Sequence, residues 1–495
     1  MKKNLKKLFL VTFITLFLIQ MNFCTKAESG QNSRNNFTET KLRSLPDNFR
    51  GIVPNTRDFV IATLNKKNKQ CLIIDKKEGP GFDSILLQSI LFSKDGKQVV
   101  YIAKNDEQLM VVNNGKTGKG YSGIGDGTLV LSHDGKRVAY AAQKDNKWLL
   151  VVDGKESPIY DAIGGAPVFS PDSRHLAYAA QKDGKWFTVV DGKASLQYDG
   201  IGLLTYSADS EQIAYIGMKS QKYCVIKNDW VSHEFDGFGG FVFSPDGKHF
   251  AYMVSNNNKW KCFADDQPSM EYDTIARDSL VYSPDSQRLA YIVSKDNKLC
   301  AVVDDKPGPE LEGIGTAPIF STNSKHVAYV AKIEGKQTVV LDQKIGVKYD
   351  GIGANSLIFS PDGEHVAYAI KNLLKWQVVL DGEVGKQYDQ VGGFGFSPDG
   401  KQMVYIASIG GKFCLVVNGD ENGRYDGIMN VPVFTPDSKH KAFFVADGNK
   451  CHLVADGQDS QIYEKVICPL VVSEDGGFET TVLKDKVLYH LEWKP

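Results

Sequence analysis

The segment Phe169-Ser170-Pro171-Asp172-Ser173-Arg174-His175-Leu176-Ala177-Tyr178 recurs as Phe243-Ser244-Pro245-Asp246-Gly247-Lys248-His249-Phe250-Ala251-Tyr252. It returns near Ser283, Ser360, Ser397 and Thr435, with weaker copies at Ser93, Ser132, Ser207, Ser321 and Ser473. These anchors stand 37 to 39 residues apart, and a degenerate copy at Ile52-Val53-Pro54-Asn55-Thr56 lies 40 residues ahead of the Phe92 copy. Twelve units therefore run from about Ile52 to Trp493. A chain with one period this regular is built by stacking one supersecondary unit on the next.

Each unit reads as four strands. An apolar run precedes the Pro-Asp turn and a second follows it, as at Leu176 to Ala180. A third, Trp186 to Val190, ends in Asp191-Gly192, and a fourth short segment ends in Tyr198-Asp199-Gly200-Ile201-Gly202. Short runs rich in Val, Tyr, Phe and Ile and bounded by Asp-Gly or Pro-Asp are strand signals. No run carries the longer 3.6-residue period of a helix. Asp-Gly tolerates the positive φ of a tight hairpin, and Pro presets φ at a turn while Asp bonds nearby N–H groups. Several strands are apolar at successive positions, which calls for burial on both faces. Sheets stacked radially supply it, so the expected class is all-β, a β-propeller of twelve four-stranded repeats.

The Phe-Ser-Pro-Asp-Gly-Lys-x-x-Ala-Tyr pattern resembles the WD40-like Pro-Asp repeat of the TolB propeller and of the propellers of some peptidases. The resemblance covers nearly the whole repeat region. It implies the propeller fold, and it names no activity by itself. TolB-like proteins carry an α/β domain ahead of the propeller and the peptidases add a hydrolase domain. The residues outside the repeats offer room for neither.

Twelve blades exceed the usual four to eight. Two arrangements stay open: one closed ring over 52–495, or two six-bladed rings split as 52–281 and 282–495. The join of two rings would fall near Thr274 to Leu280, where the usual Gly-Ile-Gly becomes Thr274-Ile275-Ala276. The last unit has only three strand-like runs, near Leu470, Thr480 and Val487. Residues 28–51 precede the first unit, and within them 37–49 are expected to supply the missing strand.

Residues 1–27 read as an export signal. Lys2, Lys3, Lys6 and Lys7 form a basic head, Leu8 to Ile19 an apolar run, and Thr25-Lys26-Ala27 a cleavage site. A lipid anchor on Cys24 is the alternative. Removing this segment takes the formal charge from −1 to −6. An evenly mixed, mildly acidic surface gives no reason to expect nucleic-acid binding. No later run is long enough to span a bilayer as a helix.

Candidate chemical groups all follow the repeat. Seven cysteines remain after the leader: Cys71, Cys224, Cys262, Cys300, Cys414, Cys451 and Cys468. The first five share one register, four residues before an Asp or Asn, and equivalent positions on stacked sheets lie too far apart for a disulfide. They are expected as buried thiols, with no CxxC spacing for a metal. His175, His249, His326, His365 and His440 keep one offset from the Pro-Asp turn and read as turn residues. The Asp of the Tyr-Asp-Gly segment recurs as Asp161, Asp199, Asp236, Asp273, Asp350, Asp389 and Asp426. These could ring one face and gather polar ligands, or simply shape turns. Trp148, Trp186, Trp260 and Trp376 share a third-strand position and could stack on sugars or pack a blade end. The Gly-x-Gly pairs stand between strands, so they are no phosphate cradle. No Gly-x-Ser-x-Gly elbow and no inserted loop is present.

The expected function is an exported, non-enzymatic scaffold binding a protein partner of the cell envelope, without a cofactor. The alternatives are a multivalent glycan-binding propeller and an enzyme with a central-channel site.

Overall fold

The structure, a computed structural model, describes residues 36–55, 59–65, 67–74 and 77–495. The expected leader and Cys24 lie outside the described residues. Residues 36–495 form one compact unit.

Twelve antiparallel sheets follow one another along the chain and close into a single ring. Blade 4 shows the pattern: Ala162–Phe169, Leu176–Lys182, Lys185–Val190 and the two-residue outer strand Lys193–Ala194. The register pairs Ala177 with Val190, Ala179 with Thr188 and Gln181 with Trp186. Blades 1 to 12 begin at Phe49, Ser84, Gly123, Ala162, Gly200, Gly237, Thr274, Gly313, Gly351, Gln390, Gly427 and Lys465. Two-residue outer strands leave little free sheet edge.

The Ala-Tyr pair of the repeat explains how blades stack. Cβ direction alternates along a strand, so Ala177 and Tyr178 point to opposite faces. Each blade turns its Ala toward the next blade and its Tyr toward the one before. Ala139, Leu150 and Tyr160 of blade 3 thus form one buried cluster with Tyr178 and Phe187 of blade 4. A small residue on one sheet seats a ring from the other, and burying such a side chain contributes about 2–3 kcal/mol.

The alternative of two rings divided at 281/282 is excluded. Blades 6 and 7 meet there through Ala251, Met253, Cys262 and Tyr272 against Ile275 and Tyr291, the same packing as elsewhere. The break of Gly-Ile-Gly at Thr274-Ile275-Ala276 is local, since Ile275 is buried in that cluster.

The ring closes on the chain's own N-terminal side. Phe37–Ser44 pairs antiparallel with Val487–Trp493, from Phe37 opposite Trp493 to Ser44 opposite Val487. It is the outermost strand of blade 12. Tyr463, bridged to Cys451 of blade 11, donates a hydrogen bond to the Glu39 carboxylate and ties this strand to the neighbouring blade.

The Pro-Asp turns form a chain of contacts around one face. Ser170 Oγ donates to Asp172 Oδ1 at 2.5 Å and accepts the His175 N–H at 3.0 Å. The Asp172 N–H then donates to Ser210 Oγ of the next blade at 2.9 Å. Ser210 has φ of 68°, a left-handed position that Gly fills in other blades. Gly247 is one of them, at φ +77°, and an added Cβ would meet the Asp209 carboxylate at 2.5 Å.

The repeated histidines are turn residues. His175, His249, His326, His365 and His440 each place Nδ1 at 2.5–2.7 Å from the Asp that follows the third strand. None of the seven cysteines is bridged, and all but the half-buried Cys300 are buried. Burial pushes the Cys71 thiol up to about 11 and the Cys262 thiol up to about 12. The shared cysteine register needs one correction. Cys71, Cys224, Cys300 and Cys414 pair with equivalent second-strand residues, whereas Cys262 pairs with Met253, one position on. It therefore faces the next blade. Its strand ends at Asp265, one residue earlier than the Asp266 that set the sequence spacing.

Candidate functional site

The recurring Asp residues sit where the third strand of one blade meets the hairpin of the next. Asp161 Oδ1 accepts from Lys147 Nζ at 2.5 Å and its Oδ2 accepts the Asp183 N–H at 2.8 Å. Asp199, Asp236, Asp273, Asp350, Asp389 and Asp426 repeat the arrangement with Lys185, Lys222, Lys259, Lys336, Lys375 and Lys412. Hydrogen bonds from the lysines hold the Asp161, Asp199 and Asp389 carboxyls below the usual range. For Asp236 and Asp350 the backbone N–H groups of Asn257 and Leu373 are the larger cause. These carboxylates pin blade to blade. Their lone pairs are engaged within the fold.

The tryptophans divide. The Trp186 indole lies across Ala179 onto Gly164 of its own inner strand, where an added Cβ would approach the ring to 2.8 Å. Trp260 covers Gly239 in the same way, at 3.0 Å. Trp376 lines a cavity of about 400 Å³. Gly353 to Ser356 and Ala369 of blade 9 form one wall, Gly392, Gly393 and Phe394 of blade 10 another, and Val431 of blade 11 the third. Ser356 serves the wall itself: its Oγ donates to the Gly353 carbonyl at 2.8 Å and accepts the Ala369 N–H at 3.0 Å.

Around this cavity the repeat departs from its own turn chemistry. The hairpin between second and third strands is Asp145-Asn146 in blade 3, Asp183-Gly184 in blade 4 and Asn257-Asn258 in blade 6. In blade 9 it is Leu373-Leu374, 85% and 83% exposed. Leu373 has φ of 54°, a conformation disfavoured for a bulky side chain. The Asp350 carboxylate accepts the Leu373 N–H at 3.0 Å and so holds the turn. Ile409 of the next hairpin and Met429 and Val431 of blade 11 are exposed as well. Blades 9 to 11 thus carry several exposed apolar residues, one of which, Val431, also lines the cavity with Trp376 and Phe394.

Spacing alone did not reveal this surface, because no residue is inserted. The usable signal was Leu373-Leu374, a hairpin turn without Gly, Asn or Asp. Other exposed apolar residues, Ile159, Leu196, Trp230, Val231, Met270, Ile345, Val347, Val384 and Ile462, lie in or just after outer strands around the ring.

No known protein-family model matches the chain, and no protein of curated function matches it. Solved structures do. A eukaryotic initiation factor is 11% identical, with 66% of this chain and 96% of that one covered at a TM-score of 0.34. The β-propeller domain of the trilobed protease from Pyrococcus furiosus, described as having an open velcro topology, is 16% identical over 53% of this chain and 94% of that one, TM-score 0.25. The Cps50 (Swd1) β-propeller domain of Myceliophteria thermophila is 11% identical over 50% and 95%, TM-score 0.24. The chain is a β-propeller. The likeness is one of fold.

Proposed function

We propose that this chain is an exported, non-enzymatic binding scaffold of the TolB-like Pro-Asp repeat type, docking an apolar segment of a protein partner on blades 9 to 11. The observation that carries the reading is Leu373, kept in a left-handed turn and exposed on the same blade as the cavity-lining Trp376. Such strain persists at sites where function requires it. Large exposed apolar side chains on blades that also form a cavity are a common mark of a docking site. Strands elsewhere in the ring hold these loops rigid, which suits recognition. The repeated Asp and His residues are taken up by the fold and leave no recurring reactive group.

The test replaces the turn with the residues its geometry favours, Leu373→Asn with Leu374→Gly. The folded variant is expected to gain about 1 kcal/mol from relieved backbone strain. Affinity capture from envelope extract of the source organism should then lose its specific protein partner at least tenfold. Equal retention by parent and variant would sink the reading.

A glycan is the second reading, favoured by Trp376 beside Asn355 in the cavity. It centres on Trp376, which lines the cavity, whereas the Trp186 and Trp260 rings lie over glycines of their own blades. A glycan array that lights up with the parent and not with Trp376→Ala would establish it.

A further inference from the structure

Aligning the blades by strand register leaves one junction unlike the others. On the face each blade turns to the next, the second strand carries Ala or Val, as at Val100, Ala139, Ala177 and Ala251. In blade 12 that position is Glu479. Opposite it in the register stands Glu492, where blades 3, 4 and 6 place Val152, Val190 and Ala264. Two positions along is His490, where those blades have the buried Leu150, Thr188 and Cys262. Three substitutions on one face have replaced an apolar seat with two carboxylates and an imidazole. This face is turned to blade 1, and no apolar cluster spans that junction among the described residues.

The three groups converge. His490 Nε2 lies 3.2 Å from Glu492 Oε1 and 3.7 Å from Glu479 Oε2. All three ligand atoms fall within 4.8 Å of one another. The side chains are 18%, 29% and 30% exposed for Glu479, His490 and Glu492. Two carboxylates and an imidazole so close together can share one cation. Metal–oxygen and metal–nitrogen bonds of about 2.0–2.2 Å need donors at such separations. One imidazole with two carboxylates is a donor set for a divalent first-row metal, with positions left for water. The donors stand on the two strands of one hairpin, with Thr38 and Thr40 of the N-terminal strand opposite Glu492 and His490. Rigid strands suit a metal site, since little ordering is required on binding.

We propose that Glu479, His490 and Glu492 bind a divalent transition-metal ion of the zinc type at the seam where the ring closes. The ion takes the place that an apolar cluster fills at the other junctions and fastens the sheet containing the N-terminal strand.

The experiment uses the full chain, stripped with chelator, returned to chelator-free buffer and titrated with Zn²⁺ by calorimetry and by thermal unfolding. One Zn²⁺ per chain and a metal-dependent rise in Tm are expected. His490→Gln should weaken binding by ~100-fold or more, since loss even of outer partners costs ~10–100-fold. Folding of the variants is guarded by a second change: Glu479→Ala, His490→Leu and Glu492→Val together restore the repeat's own residues. That triple variant should stay folded and ignore Zn²⁺. His175→Gln, in the repeated His–Asp pairs, should bind like the parent. The proposal is overturned if Zn²⁺ leaves the parent's Tm unchanged, or if the His490 and triple variants bind as the parent does.

Discussion

The junction between blades 6 and 7 and the seam between blades 12 and 1 share one strand register and are held in different ways. At the first, Ala251 and Cys262 seat Tyr291 in an apolar cluster. At the second, Glu479 and His490 occupy those positions and blade 1 offers Ile61 where blade 7 has a Tyr. The seam's strength comes from the backbone: a full strand from the N-terminal side is laid along the last blade. Apolar stacking can be repeated indefinitely along an array, whereas closure needs a contact that links the two ends. The comparison teaches that this ring relies on side-chain packing between neighbours and on main-chain pairing at its closure.

The largest expected effect comes from removing the closing strand. Deleting residues 36–49 should lower Tm by ~5 °C or more, since each 1 kcal/mol moves a large domain by about 2–4 °C. An unchanged melting curve would erase the distinction between the junctions. Next is exchange of the two chemistries. Ala251→Glu should cost about 3–5 kcal/mol in urea unfolding, because it buries a charge without a partner. Glu479→Ala at the equivalent seam position, measured on the metal-free chain, should cost clearly less than Ala251→Glu. Similar losses at both sites would mean that the seam is packed like the rest.

A smaller effect tests the turn contacts at the ordinary junction. Ser286 Oγ accepts the Asp246 N–H at 3.0 Å across blades 6 and 7. Ser286→Ala keeps the left-handed turn and leaves that N–H unpartnered, so about 1 kcal/mol should be lost. The smallest effect is a pH dependence. The Asp381 hydrogen bond raises His365 above its ordinary 6.5. A raised folded value contributes stability that is complete below about 6.5 and is lost as pH climbs past the folded value. NMR titration of the imidazole should show a value above 6.5 that falls back in Asp381→Asn.

Much of the fold could be read from the residues because its signals are local. Ser170, Pro171 and Asp172 shape one turn by themselves, and repeating that turn at constant spacing yields the number of blades. The number of rings was not legible, because Thr274-Ile275-Ala276 alters a loop without altering the packing behind it. The candidate site was legible only in part. Trp376 shares its register with Trp186 and Trp260, and only the fold shows that its ring borders a cavity. Asp350 and Asp389 were visible as a pattern, yet their work of holding hairpins depends on lysines and N–H groups in neighbouring blades. Glu479, His490 and Glu492 look ordinary in the sequence. They become exceptional once strand register places them where other blades have buried apolar residues.

Hydrogen exchange of the full chain, read by mass spectrometry, tests the central claim most directly. If main-chain pairing holds the seam while apolar packing holds the other junctions, amides in Phe37–Ser44 and Val487–Trp493 should exchange together as one unit. They should do so faster than the second and third strands of blades 2 to 11, where opening must break buried clusters. Uniform protection around the ring, or exchange in Phe37–Ser44 uncoupled from Val487–Trp493, would contradict the account.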